Sequence, residues 1–406
     1  MAAQHRPAQR SRTGVCAAPA PGAERDHRLM RYLLLLSLLA YGWLILRRLA
    51  AWNRMSSTDA PHGFQPETSI TIIIPVRNEA ANITTLLQDL EAQQYPCHLI
   101  EVLVLDDHSE DETVALAEQF FSKFTLAVKC IRLNTYVKYS GKKAAIQKGV
   151  ELAQGELLVF TDGDCRVGPE WLRQYAYLYE TKQPYFISGP VAFQHTHTLF
   201  ERMQLVEFAS LMGVGGASIE LRKPNMCNGA NLAYTKAVFG QVEGFSGNET
   251  VASGDDEFLL HKVSSLYPEK VAFLKSHKAI VYTMAHKRLI NFMSQRVRWA
   301  SKWKAYQRLD VQLVALNVFV VNLLLFTAIP LVWLGLLPVP WFVGAYVTKF
   351  GIDFLFLDRI LLFLRRRRYV WYMLPLQLVY VPYVVGTALA GLFGRYRWKG
   401  RTIRTS

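Results

Sequence analysis

Hydrophobic positions fall into three regimes along the chain. Tyr32 to Leu46 is an almost unbroken apolar run. Its flanks extend it to the ~20 residues that a membrane-crossing helix needs. Arg28 and Arg31 precede it, Arg47, Arg48 and Arg54 follow it, and no small-residue cleavage site comes after. Residues 30–50 are therefore expected to be an uncleaved anchor rather than a signal peptide. From Ser69 the pattern becomes strand, turn, helix, repeated. Ile70 to Ile74, Val102 to Leu105 and Leu157 to Phe160 are short apolar runs of the kind buried in a parallel sheet. Helices are expected at 79–93, 112–124, 142–152 and 169–180. The implied fold is a doubly wound α/β domain over residues 68–285.

The last third is apolar again. Val311 to Leu337 is long enough to span, and Tyr369 to Phe393 is a further run with Pro375 and Pro382 inside it. Between them, Val339 to Leu364 is interrupted by Lys349, Asp353, Asp358 and Arg359. Ionisable residues at that depth should face protein, a cavity or the interface. The expectation is a C-terminal membrane region over 311–394 with about three segments. Residues 1–28, rich in Ala, Pro, Arg and Gly, are expected to be disordered, and Met30 offers an alternative start. Residues 395–406 read as a basic tail.

Composition agrees with a part-membrane protein: 51% of residues are hydrophobic and 19% charged. The net charge of +14 is unevenly placed. Residues 1–54 carry +7, residues 359–406 carry +10, and residues 55–285 carry −8. Bases at the ends of apolar runs point to a membrane surface and away from nucleic acid. Residues 286–308 hold seven Lys or Arg and no acid, interleaved with Phe292, Met293, Trp299 and Trp303. They are expected to form an interfacial amphipathic helix whose bases meet lipid head groups, apart from Arg298, which with Trp299 would face the site. Five cysteines, an odd number without CxxC spacing, argue against a disulfide framework or a Cys-built zinc site. His195 and His197 read as surface residues of a loop, and Gly213 to Gly216 as a loop.

Candidate chemistry sits at the ends of the expected strands. Arg77-Asn78-Glu79, Asp106-Asp107 and Asp162-Gly163-Asp164 each follow one. Parallel α/β sheets bind ligands at the carboxyl ends of their strands, so the three clusters should converge. Any one Asp alone would read as a turn or helix cap. Crowded carboxylates call for a cation, and Mg²⁺ or Mn²⁺ bridging to phosphate oxygens suits them. A nucleoside diphosphate is the natural ligand. No GxxxxGK[ST] and no GxGxxG after a strand is present, which disfavours nucleoside triphosphatases and nicotinamide enzymes.

Together these residues resemble the family 2 glycosyltransferases of the GT-A fold. The resemblance runs through Pro75 to Glu79, Asp106 to Thr113, Gly141-Lys142, Asp162-Gly163-Asp164, Asn228 to Asn231, Gly254-Asp255-Asp256 and Gln295 to Trp299. It implies that Glu79, Asp106, Asp107 and Lys142 hold the nucleotide sugar. Asp162 and Asp164 would bind the metal and diphosphate. Asp256 would be the catalytic base, although Gly254-Asp255 stands where the family commonly has Thr-Glu. Gln295, Arg298 and Trp299 match the Gln-X-X-Arg-Trp signature of the membrane members. The expected reaction is inverting transfer from a nucleotide sugar, with a UDP-sugar as the expected donor, to a membrane lipid or lipid-linked glycan. The expected setting is the plasma or inner membrane with the catalytic domain in the cytoplasm. A processive polysaccharide synthase is the alternative enzyme. A transporter or scaffold with a nucleotide-binding domain is the alternative class, supported by Lys349, Asp353 and Asp358. Three full C-terminal spans would leave Arg395 to Arg404 on the wrong side for the positive-inside rule, so one run is expected to be interfacial or re-entrant.

Overall fold

The computed structural model describes residues 21–121, 125–136, 141–247, 254–302, 306, 308–393, 395–398 and 401–404. The strands are β1 (Ile70–Val76), β2 (Ile100–Asp106), β3 (Ala127–Arg132), β4 (Leu157–Phe160), β5 (Phe186–Ser188), β6 (Val191–Phe193), β7 (Leu232–Thr235), β8 (Val271–Phe273) and β9 (Val281–Thr283). The helices are α1 (Pro21–Arg54), α2 (Ile83–Glu91), α3 (Thr113–Phe121), α4 (Lys142–Leu152), α5 (Trp171–Lys182), α6 (Leu199–Glu220), α7 (Lys236–Gln241), α8 (Asp255–Leu266), α9 (Leu289–Ala300), α10 (Leu309–Trp333), α11 (Val339–Phe363) and α12 (Met373–Phe393).

Seven strands form one sheet in the order β3-β2-β1-β4-β7-β5-β8. The first four are parallel, and β7 runs against both β4 and β5. Ile72, Ile73, Ile74, Val102 to Leu105 and Leu157 to Val159 are fully buried. Such two-sided burial is why these strands read as continuous apolar runs and not as alternating ones. The register sets Val76 opposite Asp106 and Ile73 opposite Phe160, so the carboxyl ends of β1, β2 and β4 lie together. β6 and β9 form a small parallel sheet beside the main one.

The chain departs from its local pattern in several places. α2 starts at Ile83 rather than 79, because Asn78 turns the backbone at φ 55° before the helix begins. Gly213 to Gly216 is not a loop but part of the 22-residue helix α6. Tertiary closeness explains the glycines: a Cβ on Gly213 would lie 2.5 Å from the Ile360 side chain, and one on Gly215 would lie 3.0 Å from the Met226 carbonyl oxygen. The helix accepts the propensity cost of Gly in exchange for close packing. α1 starts at Pro21, inside the stretch expected to be disordered, whose residues 1–20 lie outside the described residues. Arg395–Trp398 and Arg401–Arg404, expected to be a tail, pair as an antiparallel hairpin.

Among the described residues, Arg28–Arg54, Leu309–Trp333 and Arg367–Leu392 are long and apolar enough to cross a membrane. α11, expected to be a span, is as long as α10 but is not apolar enough to join them. Two of its charges are internal, whereas Arg359 is exposed and Asp358 pairs with the exposed Arg367. Lys349 is 1% exposed and donates to Asp353 at 2.7 Å, and Asp353 also accepts from Tyr41 at 2.5 Å and Gln377 at 3.0 Å. These bonds tie α11 to α1 and α12. α1 and α11 run side by side in the same direction, since Gly42 faces Ile352 and Trp52 packs on Phe363.

Candidate active site

The turn after β1 is built by reciprocal bonds with the turn after β2. Asn78 N donates to Ser109 Oγ at 3.0 Å, Glu110 N donates to Asn78 Oδ1 at 2.8 Å, and Arg77 donates to the Asp107 carbonyl at 3.0 Å. Glu79 N donates to Thr113 Oγ1 at 2.7 Å, and Asn82 donates to the Glu79 carboxylate at 2.9 Å. Asp107 accepts from the amide of Gly141 at 2.9 Å, joining the β2 turn to the start of α4. Gly141 there has φ 89°, which favours glycine.

α4 then presents Lys142, whose ammonium donates to Asp162 Oδ1 at 2.6 Å. Gly163 packs against Glu79, since a Cβ there would lie 3.0 Å from Glu79 Cγ. The Asp162-Gly163-Asp164 turn thus sits directly beside the β1 turn. Opposite, Asp256 in the first turn of α8 accepts from Gly229 N at 2.8 Å and from Glu257 N at 2.9 Å. A Cβ on Gly229 would meet Lys142 Nζ at 3.3 Å and Asp256 Oδ2 at 3.4 Å. Gly229 therefore stands between the two charged groups, and a side chain there would crowd them. Asn231, the end of the same motif, is a structural post: fully buried, it accepts from Trp171 and Tyr175 and donates to the carbonyls of Pro190 and Ala279.

These residues border one cleft of about 950 Å³. Glu79, Asp107, Lys142, Asp162, Asp164, Asp256, Gln295, Arg298 and Trp299 all line it. Asp106 does not: it is buried at the end of β2 and accepts from Ser109 N at 3.1 Å, shaping the turn that presents Asp107. Burial opposes the charge on Lys142, but Asp162, Asp255 and Asp256 outweigh it and hold the ammonium protonated. Burial also pushes the Asp255 carboxyl above its ordinary range, with Lys142 pulling the other way.

Asp162 and Asp164 could hold a divalent cation. No group of three or more His, Cys, Asp or Glu converges among the described residues. Two carboxylates of one turn nevertheless fit a hard cation that takes its remaining ligands from substrate phosphates and water.

Other lining residues carry no local sequence signal. Glu207 of α6 and Arg296 of α9 form a buried bidentate pair, and Tyr383 of α12 donates to Glu207 at 3.1 Å. Glu257 accepts from Tyr306 at 2.7 Å and pairs with Lys302 at 3.1 Å. Arg296 and Lys302 thus face inward and do not meet lipid head groups as expected, while the partly exposed Arg308 pairs with Asp310. Trp303 and Lys304 lie outside the described residues. Tyr380, Tyr383, Val384 and Thr387 bring α12 to the wall of the cleft, facing Phe208, Leu211 and Met212 of α6. His195 and His197 are exposed, as expected of surface residues.

A model of Glycosyl transferase family 2 matches residues 71–242, and one of Glycosyl transferase family group 2 matches residues 157–384. Glycosyltransferase AglE of Haloferax volcanii is 29% identical over 194 residues, 46% of this chain and 58% of that protein. The 4,4'-diaponeurosporenoate glycosyltransferase of Staphylococcus haemolyticus is 26% identical over 213 residues, 48% of this chain and 55% of that protein. The chain spans about half the length of these two relatives. The mannosyltransferase PcManGT of Pyrobaculum calidifontis, solved with GDP-Man and Mn²⁺, shares the fold at a TM-score of 0.56 and 17% identity, covering 88% of this chain and 99% of that one.

Proposed function

The chain belongs to glycosyl transferase family 2, and from that premise we propose that it is an inverting, metal-assisted enzyme. It moves a sugar from a nucleotide sugar, a UDP-sugar on our reading, to a hydroxyl of a membrane lipid. One observation carries the lipid acceptor: a single cleft joins the charged ends of β1, β2 and β4 to an apolar wall made by α6 and α12. Glu79 and Asp107 hold the nucleoside. Lys142 and Arg298 face the diphosphate. A divalent cation on Asp162 and Asp164 would supply neutralisation of the charge that develops on the departing diphosphate. Asp256, fixed by two backbone amides, takes the proton of the acceptor hydroxyl. A single displacement inverts the anomeric carbon. The transporter reading loses its support, because Lys349 and Asp353 pair with each other and Asp358 pairs with Arg367.

We place the catalytic domain on the cytoplasmic side, where nucleotide sugars are made. α1 and α11 then end on that side, with Trp52 and His277 both packed on Phe363. α12 begins there too, since Arg202 donates to Tyr372 at 2.7 Å. Its far end returns to the same domain, where a Cβ on Gly391 would meet Ala300 of α9 at 2.8 Å. We therefore read α12 as a re-entrant segment that enters and leaves on the catalytic-domain side, packed on α9, α10 and α11, and α10 with α11, whose Lys349 and Asp353 neutralise each other, as the C-terminal hairpin.

The test is full-length protein with a panel of labelled nucleotide sugars, followed by lipid extraction. Labelled lipid with inverted anomeric configuration is expected. Asp256→Asn should lower the rate at least ~10²-fold, as for loss of a general base. Transfer that survives both Asp256→Asn and Asp162→Ala would refute the assignment.

A further inference from the structure

The charge of the cleft bears on which acceptor it takes. Among the described residues, eight carboxylates and five Lys or Arg side chains line it, a formal balance of −3. Three of the five bases pair with carboxylates of the same wall: Lys142, which also faces the donor diphosphate, with Asp162 at 2.6 Å, Lys302 with Glu257 at 3.1 Å and Arg296 with Glu207 at 2.5 Å. A fourth, Arg77, donates to the Asp107 carbonyl and pairs with Glu110. Arg298 is assigned to the donor diphosphate. A divalent cation and a nucleoside diphosphate roughly cancel each other's charge, so binding the donor leaves the balance negative.

The α6–α12 end of the cleft offers Phe208, Leu211, Met212, Tyr380, Tyr383 and Val384. Its ionic groups are the closed Glu207–Arg296 pair. Recognition of a phosphate monoester uses Arg or Lys aimed at its oxygens. The apolar end instead suits an uncharged chain carrying a hydroxyl.

Resting on the function proposed above, we propose that the acceptor is an uncharged lipid alcohol and not a lipid phosphate. The chemistry agrees with the presence of a base. The hydroxyl proton passes to the Asp256 carboxylate, and the acceptor oxygen forms a bond to the anomeric carbon. The bond from that carbon to the diphosphate oxygen breaks, and its electron pair leaves with the nucleoside diphosphate. A phosphate acceptor would attack with an oxygen already anionic and would need no base.

The experiment offers the full-length protein a labelled nucleotide sugar and one of three acceptors: a long-chain prenol, the monophosphate of the same prenol, or a total membrane lipid extract. The product is tested by anion exchange and by mild acid, which cleaves glycosyl phosphates and spares alkyl glycosides. The expected product is uncharged and acid-stable, and kcat/KM should favour the prenol at least about tenfold, as like-charge rejection implies. An anionic, acid-labile product, from the prenyl phosphate or from the extract, overturns this inference and leaves the glycosyltransferase reading intact. Donor turnover without any labelled lipid, or no turnover at all, overturns the lipid-directed function and this inference with it.

Discussion

The Glu207–Arg296 pair gives the sharpest test of how the site is held. The two side chains are 5% and 4% exposed, and Arg296 Nε reaches Glu207 Oε1 at 2.9 Å. The guanidinium also lies 4.3 Å from the Trp299 ring and 4.6 Å from the Phe292 ring, and donates to Gln295. Burial works against the charged form of Arg296, but Glu207 and Tyr383 outweigh it and raise its pKa. Glu207→Leu would leave a buried cation without its partner, a change that costs about 3–5 kcal/mol. Arg296→Met would leave Glu207 with only the Tyr383 hydroxyl, at a similar cost. The double variant removes both charges and should cost about 1–2 kcal/mol, because apolar replacement of a buried pair is often nearly neutral. The coupling energy is then on the order of 4–9 kcal/mol. Thermal unfolding in detergent measures it, each single variant falling by roughly 5–10 °C and the double by much less. Single variants that cost under ~1 kcal/mol, or a double variant that costs the sum of the two, would refute the view that the pair is a closed internal lock. Activity gives a second readout. Because Arg296 also holds Gln295 and packs on Trp299, Glu207→Leu should lower kcat even at temperatures where it stays folded.

Three further outcomes follow from the geometry. His261 is buried, its Nε2 lies 3.2 Å from the Asn225 carbonyl, and burial lowers its pKa from 6.5 to about 4. Its neutral form contributes stability that is complete above pH 6.5 and lost as pH falls toward about 4, some ~3 kcal/mol in all; His261→Gln should flatten unfolding curves across that window. Gly213→Ala in α6 should destabilise by about 1–3 kcal/mol despite alanine's better helix propensity, because its Cβ would lie 2.5 Å from Ile360, and the same substitution should cost far less when made in an Ile360→Ala background. Ser406→Cys should react with a membrane-impermeant thiol reagent only from the catalytic-domain side; labelling from the opposite side alone would show that α12 crosses.

The site was legible where chemistry follows directly from a short apolar run. Glu79, Asp107, Asp162 and Asp164 each come just after a buried parallel strand, and the level register of β1, β2 and β4 brings them to one cleft. Adjacency alone does not say which of Asp106 and Asp107 turns outward; Asp106 accepts from Ser109 N and Asp107 lines the cleft. Gly213 to Gly216 read as a loop because local propensity counts glycine as a breaker, while the contacts that favour it come from Ile360, Met226, Trp52 and Phe273, all distant in sequence. Two bases of 286–308, Arg296 and Lys302, depart from the pattern for a related reason. A cationic run reads as a solvated face, yet Arg296 finds its acid 89 residues earlier. Lys302 likewise pairs with Glu257 on another helix.

That correction changes where the membrane surface is met. Lys287 and Arg288 stay exposed beside Leu289 and Ile290, which are 62% and 60% exposed, so contact moves to the N-terminal end of α9. A re-entrant α12 returns to the same surface. Arg367 and Arg368, exposed before it, and residues 395–398 and 401–404 after it would then lie on the side of the catalytic domain. On the cytoplasmic placement proposed above, the terminal bases, at odds with three full spans, would obey the positive-inside rule once the last run returns to the side it leaves. The helix that resolves the charge is also the one that lines the acceptor end of the cleft. On the function proposed above, the lipid acceptor would enter along α12 the same cleft that Asp256 lines.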